Sequence, residues 1–158
     1  MRLDLDKLEK AVGEFEIVVD GKESKVDVKK VCGIDMENLV EEFTKHPANY
    51  AWYSTVLSLY ESRKSELEND LDLKYADLDI KVRGGLSPEE AKSIKEKNIE
   101  SRIISDKDYS ILKEEFLLVG KVVKRLIALV KGLEVKSNML VQAGARARKE
   151  LELDGMGR

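Results

Sequence analysis

The sequence predicts a mainly α protein of long helices, an elongated helical bundle carrying a short β-hairpin near its N-terminus. Three observations predict this. Leu112, Phe116, Val119, Val123, Leu126, Val130 and Leu133 recur at alternating steps of four and three, with Leu140 back in phase. That seven-residue repeat belongs to a helix that meets other helices. A second series with the same stepping runs Leu39, Phe43, His46, Tyr50, Tyr53, Leu57, Tyr60, Lys64, Leu67, Leu71, Lys74 and Leu78. The third observation is Asp20-Gly21, a turn dipeptide between the β-type run from Glu14 to Val19 and the alternating Lys25-Val26-Asp27-Val28.

Taken in order, residues 1–12 read as a short amphipathic helix with Leu5, Leu8 and Val12 on one side. The hairpin spans 14–31; alone it would be marginal in water, so it must pack on the helices or pair with a neighbouring subunit. Asp35 reads as the N-cap of the first long helix. Pro47 predicts a break or kink, because proline lacks the donor and disfavours the α conformation at His46. Arg83-Gly84-Gly85 ends the helix.

Ser87-Pro88-Glu89-Glu90 restarts it, with serine as cap, proline at the first position and glutamate three residues on. Ile94, Ile99, Ile103 and Ile104 give the new helix a thin apolar face. It either re-caps at Ser105-Asp106-Lys107-Asp108 or runs unbroken from 87 to about 150, since no proline or glycine stops it there. Ile111, Leu118, Val122 and Leu129 widen the stripe of the last helix, so two flanks need cover, in a bundle or an oligomer. Gly120, Gly132 and Gly144 lie twelve residues apart, by chance or for close helix contact. The chain thus divides into an appendage at 1–32, a helical segment at 33–85, a C-terminal helical segment at 86–152, and a flexible tail at 153–158.

With 158 residues, 37% of them charged, and two prolines, the chain has the composition of a soluble helical domain. The single cysteine, Cys32, fits a reducing cytoplasm and reads as a small apolar residue. No apolar run is long enough to span a membrane, and the acidic N-terminus lacks a signal-peptide core. Net charge is −3 but unevenly spread: residues 1–80 carry 11 basic and 19 acidic side chains, and residues 121–158 carry 9 and 4. Such a dipole suits head-to-tail attraction between subunits or a polyanion site at the basic end.

Enzyme signatures are missing. There is no glycine-rich phosphate loop, no cysteine pair and no His-Glu-x-x-His, so no cofactor and no metal is expected. His46, on the seam before a proline, reads as a partly buried or capping histidine, and Asp70, Asp72, Asp77 and Asp79 as a solvated face. Lys81 and Arg83 flank Val82. Lys121, Lys124, Arg125, Lys131 and Lys136 lie on the polar side of the last helix, and Arg146, Arg148 and Lys149 cluster near its end. A row of this kind suits phosphates, and aromatics would help if bases are unstacked. Tyr50, Tyr53 and Tyr60 keep the seam phase, whereas Trp52 stands off it as a stacking or interface residue. A solvated helix face explains the same charges.

The order of features from Gly33-Ile34-Asp35, through Tyr50 to Trp52, Arg83-Gly84-Gly85, Ser87, Ser105-Asp106-Lys107-Asp108 and Lys131-Gly132-Leu133 to the Arg146–Glu150 end resembles the phage recombination mediators of the UvsY family. The resemblance covers roughly 115 residues and rests on order and spacing. It implies a small helical protein that forms a ring-like homo-oligomer through its C-terminal helix, here the seam from Leu112 to Leu140. It also implies binding of single-stranded DNA, loosening of single-strand-binding protein and help in loading a RecA-type recombinase, without catalytic residues. The family's Lys-x-Arg pair falls at Ala76 and Leu78 in direct register, so its DNA contact is carried to Lys81 and Arg83, a few residues later. The alternative is a helical scaffold that binds other proteins and no nucleic acid.

Overall fold

The computed structural model describes residues 13–156; the helix expected over 1–12 lies outside the described residues. Strands β1 (Glu14–Val19) and β2 (Lys22–Asp27) form an antiparallel hairpin, followed by α1 (Val28–Cys32), α2 (Leu39–Gly84), α3 (Pro88–Ser93), α4 (Glu96–Ile104) and α5 (Lys107–Met156). The fold is mainly helical with one two-stranded sheet, as the periodicities predict. The contacts gather into two units. One draws its described residues from 13–58 and 122–156, and the other is Leu59–Lys121. Both long helices contribute residues to each.

In the first unit the hairpin turns at Asp20 (φ 52°) and Gly21 (φ 73°), the paired left-handed residues that a tight two-residue turn demands. Phe15 faces Val26 across the sheet, and Phe15, Ile17 and Val26 are buried while Glu16 and Val18 are exposed. This alternation gives the hairpin one apolar face, and the Arg125 guanidinium of α5 lies 5.9 Å from the centre of the Phe15 ring. Asp27 then caps α1, its carboxylate accepting the Lys30 N–H at 3.1 Å.

Asp35 does not cap α2. It accepts from Glu37 N–H (2.9 Å) and Asn38 Nδ2 (2.9 Å), closing a turn ahead of the helix, and the first helical bond runs from Glu42 N–H to the Asn38 carbonyl. Pro47 does not end the helix either; α2 passes through it for 46 residues. Proline removes one backbone bond, but contacts on both sides of it keep the helix continuous. Phe43 lies against Gly144, His46 is buried, and the Tyr50 hydroxyl reaches Glu134 at 3.1 Å.

The stripe of α5 is covered by its own chain. Leu126, Leu129 and Leu133 have no exposed area, and Val123, Leu140 and Ala143 are buried beside them. Phe43 meets Gly144 and Tyr50 meets Glu134, so α5 numbers fall as α2 numbers rise and the helices run antiparallel here. Every seam position of α2 from His46 to Leu78 is buried or half-buried. The two predicted seams are thus used within one chain.

The second unit has its own core of Leu78, Ile99, Ile103 and Tyr109, with Leu71, Tyr75, Val82 and Ile94 packed against it. Arg63 pairs with Glu115 at 2.7 Å and Lys74 with Asp108 at 3.2 Å, again antiparallel. Ser87 forms the predicted capping box with Glu90, with Pro88 at the first position. The helix it starts is short: α3 ends at Ile94, in extended conformation, and α4 begins after Lys95. The break lets Ile94 join the core together with Ile99 and Ile103, which a straight helix would point elsewhere. Asp106 re-caps α5, accepting the Tyr109 N–H at 3.0 Å, which settles the alternative in favour of a broken path. The predicted tail at 153–158 is helical as far as Met156.

Two of the three evenly spaced glycines on α5 permit close approach. A Cβ on Gly132 would stand 2.8 Å from Cys32 Sγ, and one on Gly144 would stand 3.0 Å from Phe43 Cζ. Alanine is worth about 1 kcal/mol over glycine inside a helix, so Gly132→Ala is expected to destabilise the protein only through the sulfur clash. In the Cys32→Ala background the same change should stabilise it, because the remaining Cβ stands 3.8 Å away. Denaturant midpoints of the four proteins in this cycle measure the reversal; destabilisation in both backgrounds would rule it out.

Candidate functional site

Between Lys121 and Lys149 the chain has eight basic side chains and one carboxylate, Glu134. With 3.6 residues per turn, Lys124, Lys131, Arg146 and Lys149 fall on one side of α5, opposite Leu126, Leu133 and Leu140, and all four are exposed. No ion pair reaches them among the described residues. Val135 and Met139, both more than half exposed, lie on the same side. From Lys124 to Lys149 this strip is roughly 37 Å long at the α-helical rise. An acid-free row of cations on a rigid helix is suited to the backbone of a polyanion.

The other predicted basic residues are placed differently. Arg125 is at the edge of the strip, held over Phe15. Arg148 donates to the Gly144 carbonyl at 3.2 Å. Lys121 is exposed in the second unit. Lys81 is bonded to Asp77 at 2.9 Å, while Arg83 is bonded to Asp79 (2.9 Å) and to Glu96. A phosphate arriving at either must first displace a carboxylate.

Lys136 is a correction to the predicted set. Its side chain is 5% exposed, its ammonium lies 2.6 Å from Glu42 Oε2, and it donates to the Val31 carbonyl at 3.2 Å. It ties α5 to α1 and α2 and has no reach to a phosphate. The predicted oligomer seam is corrected in the same sense. Val123, Leu126, Leu133 and Leu140 are buried inside the chain and Val130 is half-buried there, while Leu112, Phe116 and Val119 are half-buried in the second unit.

Beside the strip, α2 and α5 enclose a cleft of about 430 Å³ lined by His46, Pro47, Tyr50, Glu134, Ser137 and Asn138. Nothing in the periodicity announces it, because it depends on which turns of the two helices face each other. His46 is 7% exposed and its buried Nδ1 has no hydrogen-bond partner. Burial, followed by the Lys136 charge, pushes its pKa below 6.5 against the opposing pull of Glu42. Trp52 is 44% exposed and meets Tyr53 edge-on at 4.7 Å, away from the cleft. On the other flank of α5 a second cleft, of about 490 Å³, is lined by Cys32, Ile34, Met36, Met139 and Arg146 among others.

Among the described residues no helix is long and apolar enough to cross a membrane, and no cluster of three His, Cys, Asp or Glu side chains could hold a metal ion. Comparison with protein-family models, with curated proteins and with solved structures finds no match to the chain.

Two groups make stability acid-sensitive. The hydrogen bond from Lys136 holds the Glu42 carboxyl below its ordinary range, and burial lowers His46. Both folded pKa values lie below the unfolded ones, so their contributions are complete at neutral pH and are lost on acidification. Loss begins near 6.5 for His46 and in the carboxylate range for Glu42. Lys136→Met is expected to cost about 2 kcal/mol at pH 7, by leaving Glu42 Oε2 without its cation and the Val31 carbonyl without this donor, and to flatten the lower limb. His46→Gln should flatten the upper limb alone. Unfolding free energies from pH 4 to 8 test this, and an unchanged pH profile in both variants would refute it.

Proposed function

We propose that the chain is an oligomeric recombination mediator that binds single-stranded DNA, loosens single-strand-binding protein and helps a RecA-type recombinase to load. The acid-free basic strip of Lys124, Lys131, Arg146 and Lys149 carries this reading. The ordered resemblance to UvsY-type mediators supports it. Four exposed cations in a row make a weak, sequence-tolerant site, which a ring-like assembly multiplies by the number of subunits, so that avidity holds the strand. A site of many weak contacts also lets go piecewise, as a protein must that hands its strand to a recombinase.

The assembly needs a surface other than the α5 seam, which the chain uses itself. Leu73 and Ile80 on α2, and Ile111 and Leu118 on α5, are each more than half exposed and each pair is seven residues apart. They are the apolar side chains of the second unit best suited to another copy. The same residues would serve the runner-up reading, a helical scaffold that docks another protein, and DNA binding separates the two.

Titration onto a labelled single strand should give log K falling linearly with log salt, with the same slope whatever the sequence. Each of Lys124→Ala, Lys131→Ala and Lys149→Ala should reduce the slope by roughly 0.7, with a smaller change for the paired Lys81→Ala and Arg83→Ala. Binding that ignores salt, or that occurs on duplex alone, would sink the mediator reading. For assembly, Leu73→Glu with Ile80→Glu is expected to lower the oligomer mass while leaving helix content and unfolding midpoint nearly unchanged. Val123→Asp should instead unfold its own unit. Mass measured by sedimentation, with circular dichroism beside it, decides between these.

A further inference from the structure

We infer that the cleft lined by His46, Pro47, Tyr50, Glu134, Ser137 and Asn138 seats one unstacked nucleobase of the bound strand, preferring bases with an exocyclic amino group. This rests on the single-strand reading of the neighbouring strip. Asn138 lies seven residues from Lys131 on α5, so it shares that side of the helix two turns along, and the cleft opens beside the basic strip. A strand whose phosphates follow Lys131 therefore has the cleft next to its bases.

The lining has the composition a base requires. Pro47 and the Tyr50 ring supply flat apolar surface, and His46 closes the wall with its ring centre 6.4 Å from that of Tyr50. The polar side holds a hydroxyl, a carboxamide and a carboxylate. The side chains of Ser137 and Asn138 make no hydrogen bond among the described residues, so their donors and acceptors are free for a ligand. Tyr50 donates to Glu134 Oε1 at 3.1 Å, which fixes the carboxylate and leaves Oε2 as an acceptor. A carboxylate accepts from the cytosine N4 amino group, and a carboxamide reads an amino-and-acceptor edge. Thymine offers no such amino group. A volume of about 430 Å³ lies in the range of sites that enclose small planar ligands.

The test uses the full chain and three strands of equal length: oligo-dC, oligo-dT and an abasic sugar–phosphate strand. Wild type should bind dC most tightly, then dT, then the abasic strand. Tyr50→Ala should lower affinity for dC roughly ten-fold and leave abasic binding unchanged. Glu134→Gln and Asn138→Ala, both at exposed positions, should erase the preference for dC over dT. Lys131→Ala should weaken all three strands alike. Equal affinity of wild type for dC and the abasic strand would overturn the seat while leaving the mediator reading intact. Unchanged dC preference in Glu134→Gln and Asn138→Ala would also overturn it. Failure to bind any strand removes both readings.

Discussion

The structure depends on the burial of the α5 stripe by the chain's own elements. Leu126, Leu129 and Leu133 are sealed completely, in the unit that also holds the hairpin, α1 and the first part of α2. Each such side chain contributes on the order of 2 kcal/mol when removed from water. That gain keeps a 46-residue helix continuous through a proline and gives a two-stranded hairpin, too small to persist alone, a surface to lie on. It also decides which face of α5 is left over. The stripe faces inward, so the cations face outward.

Electrostatics follow from the same geometry. Lys136 is on the inner side of α5, where water cannot stabilise its charge, and Glu42 and the Val31 carbonyl supply what the solvent would have. Lys131 and Lys124 are on the outer side, exposed to water, and need no such partners. Five residues along one helix separate a structural lysine from a surface one. In the second unit, carboxylates four residues back along α2 occupy Lys81 and Arg83, so those cations serve the helix first.

Local chemistry was legible in the sequence and tertiary chemistry was not. Asp20-Gly21 and the Ser87–Glu90 box depend on backbone groups within four residues, and both formed as their residue types require. Asp35 has capping chemistry too, but spends it on a turn one step early. Pro47 and the Ile94 break went against local preference, because the deciding contacts come from Gly144 in one case and from the Leu78–Tyr109 core in the other. The heptads were visible, yet an apolar repeat does not say whose side chains will cover it. Lys136 looked like its neighbours for the same reason: its carboxylate partner is in a different helix. The cleft at His46 has no sequence signature at all.

Gly132 and Gly144 have a joint consequence for the placement of α5. Twelve residues turn an α-helix through three full turns and a third of another, so the two glycines point in different directions. One admits Cys32 of α1 and the other Phe43 of α2. Rotating α5 by a single residue, or sliding it one step along its axis, would put a side chain where each neighbour leaves room for little more than a hydrogen atom. Leucines alone would tolerate such a slip, since one apolar row resembles the next. The two glycines therefore act as a key with teeth on two sides, and they fix which cations end up in line on the outer face.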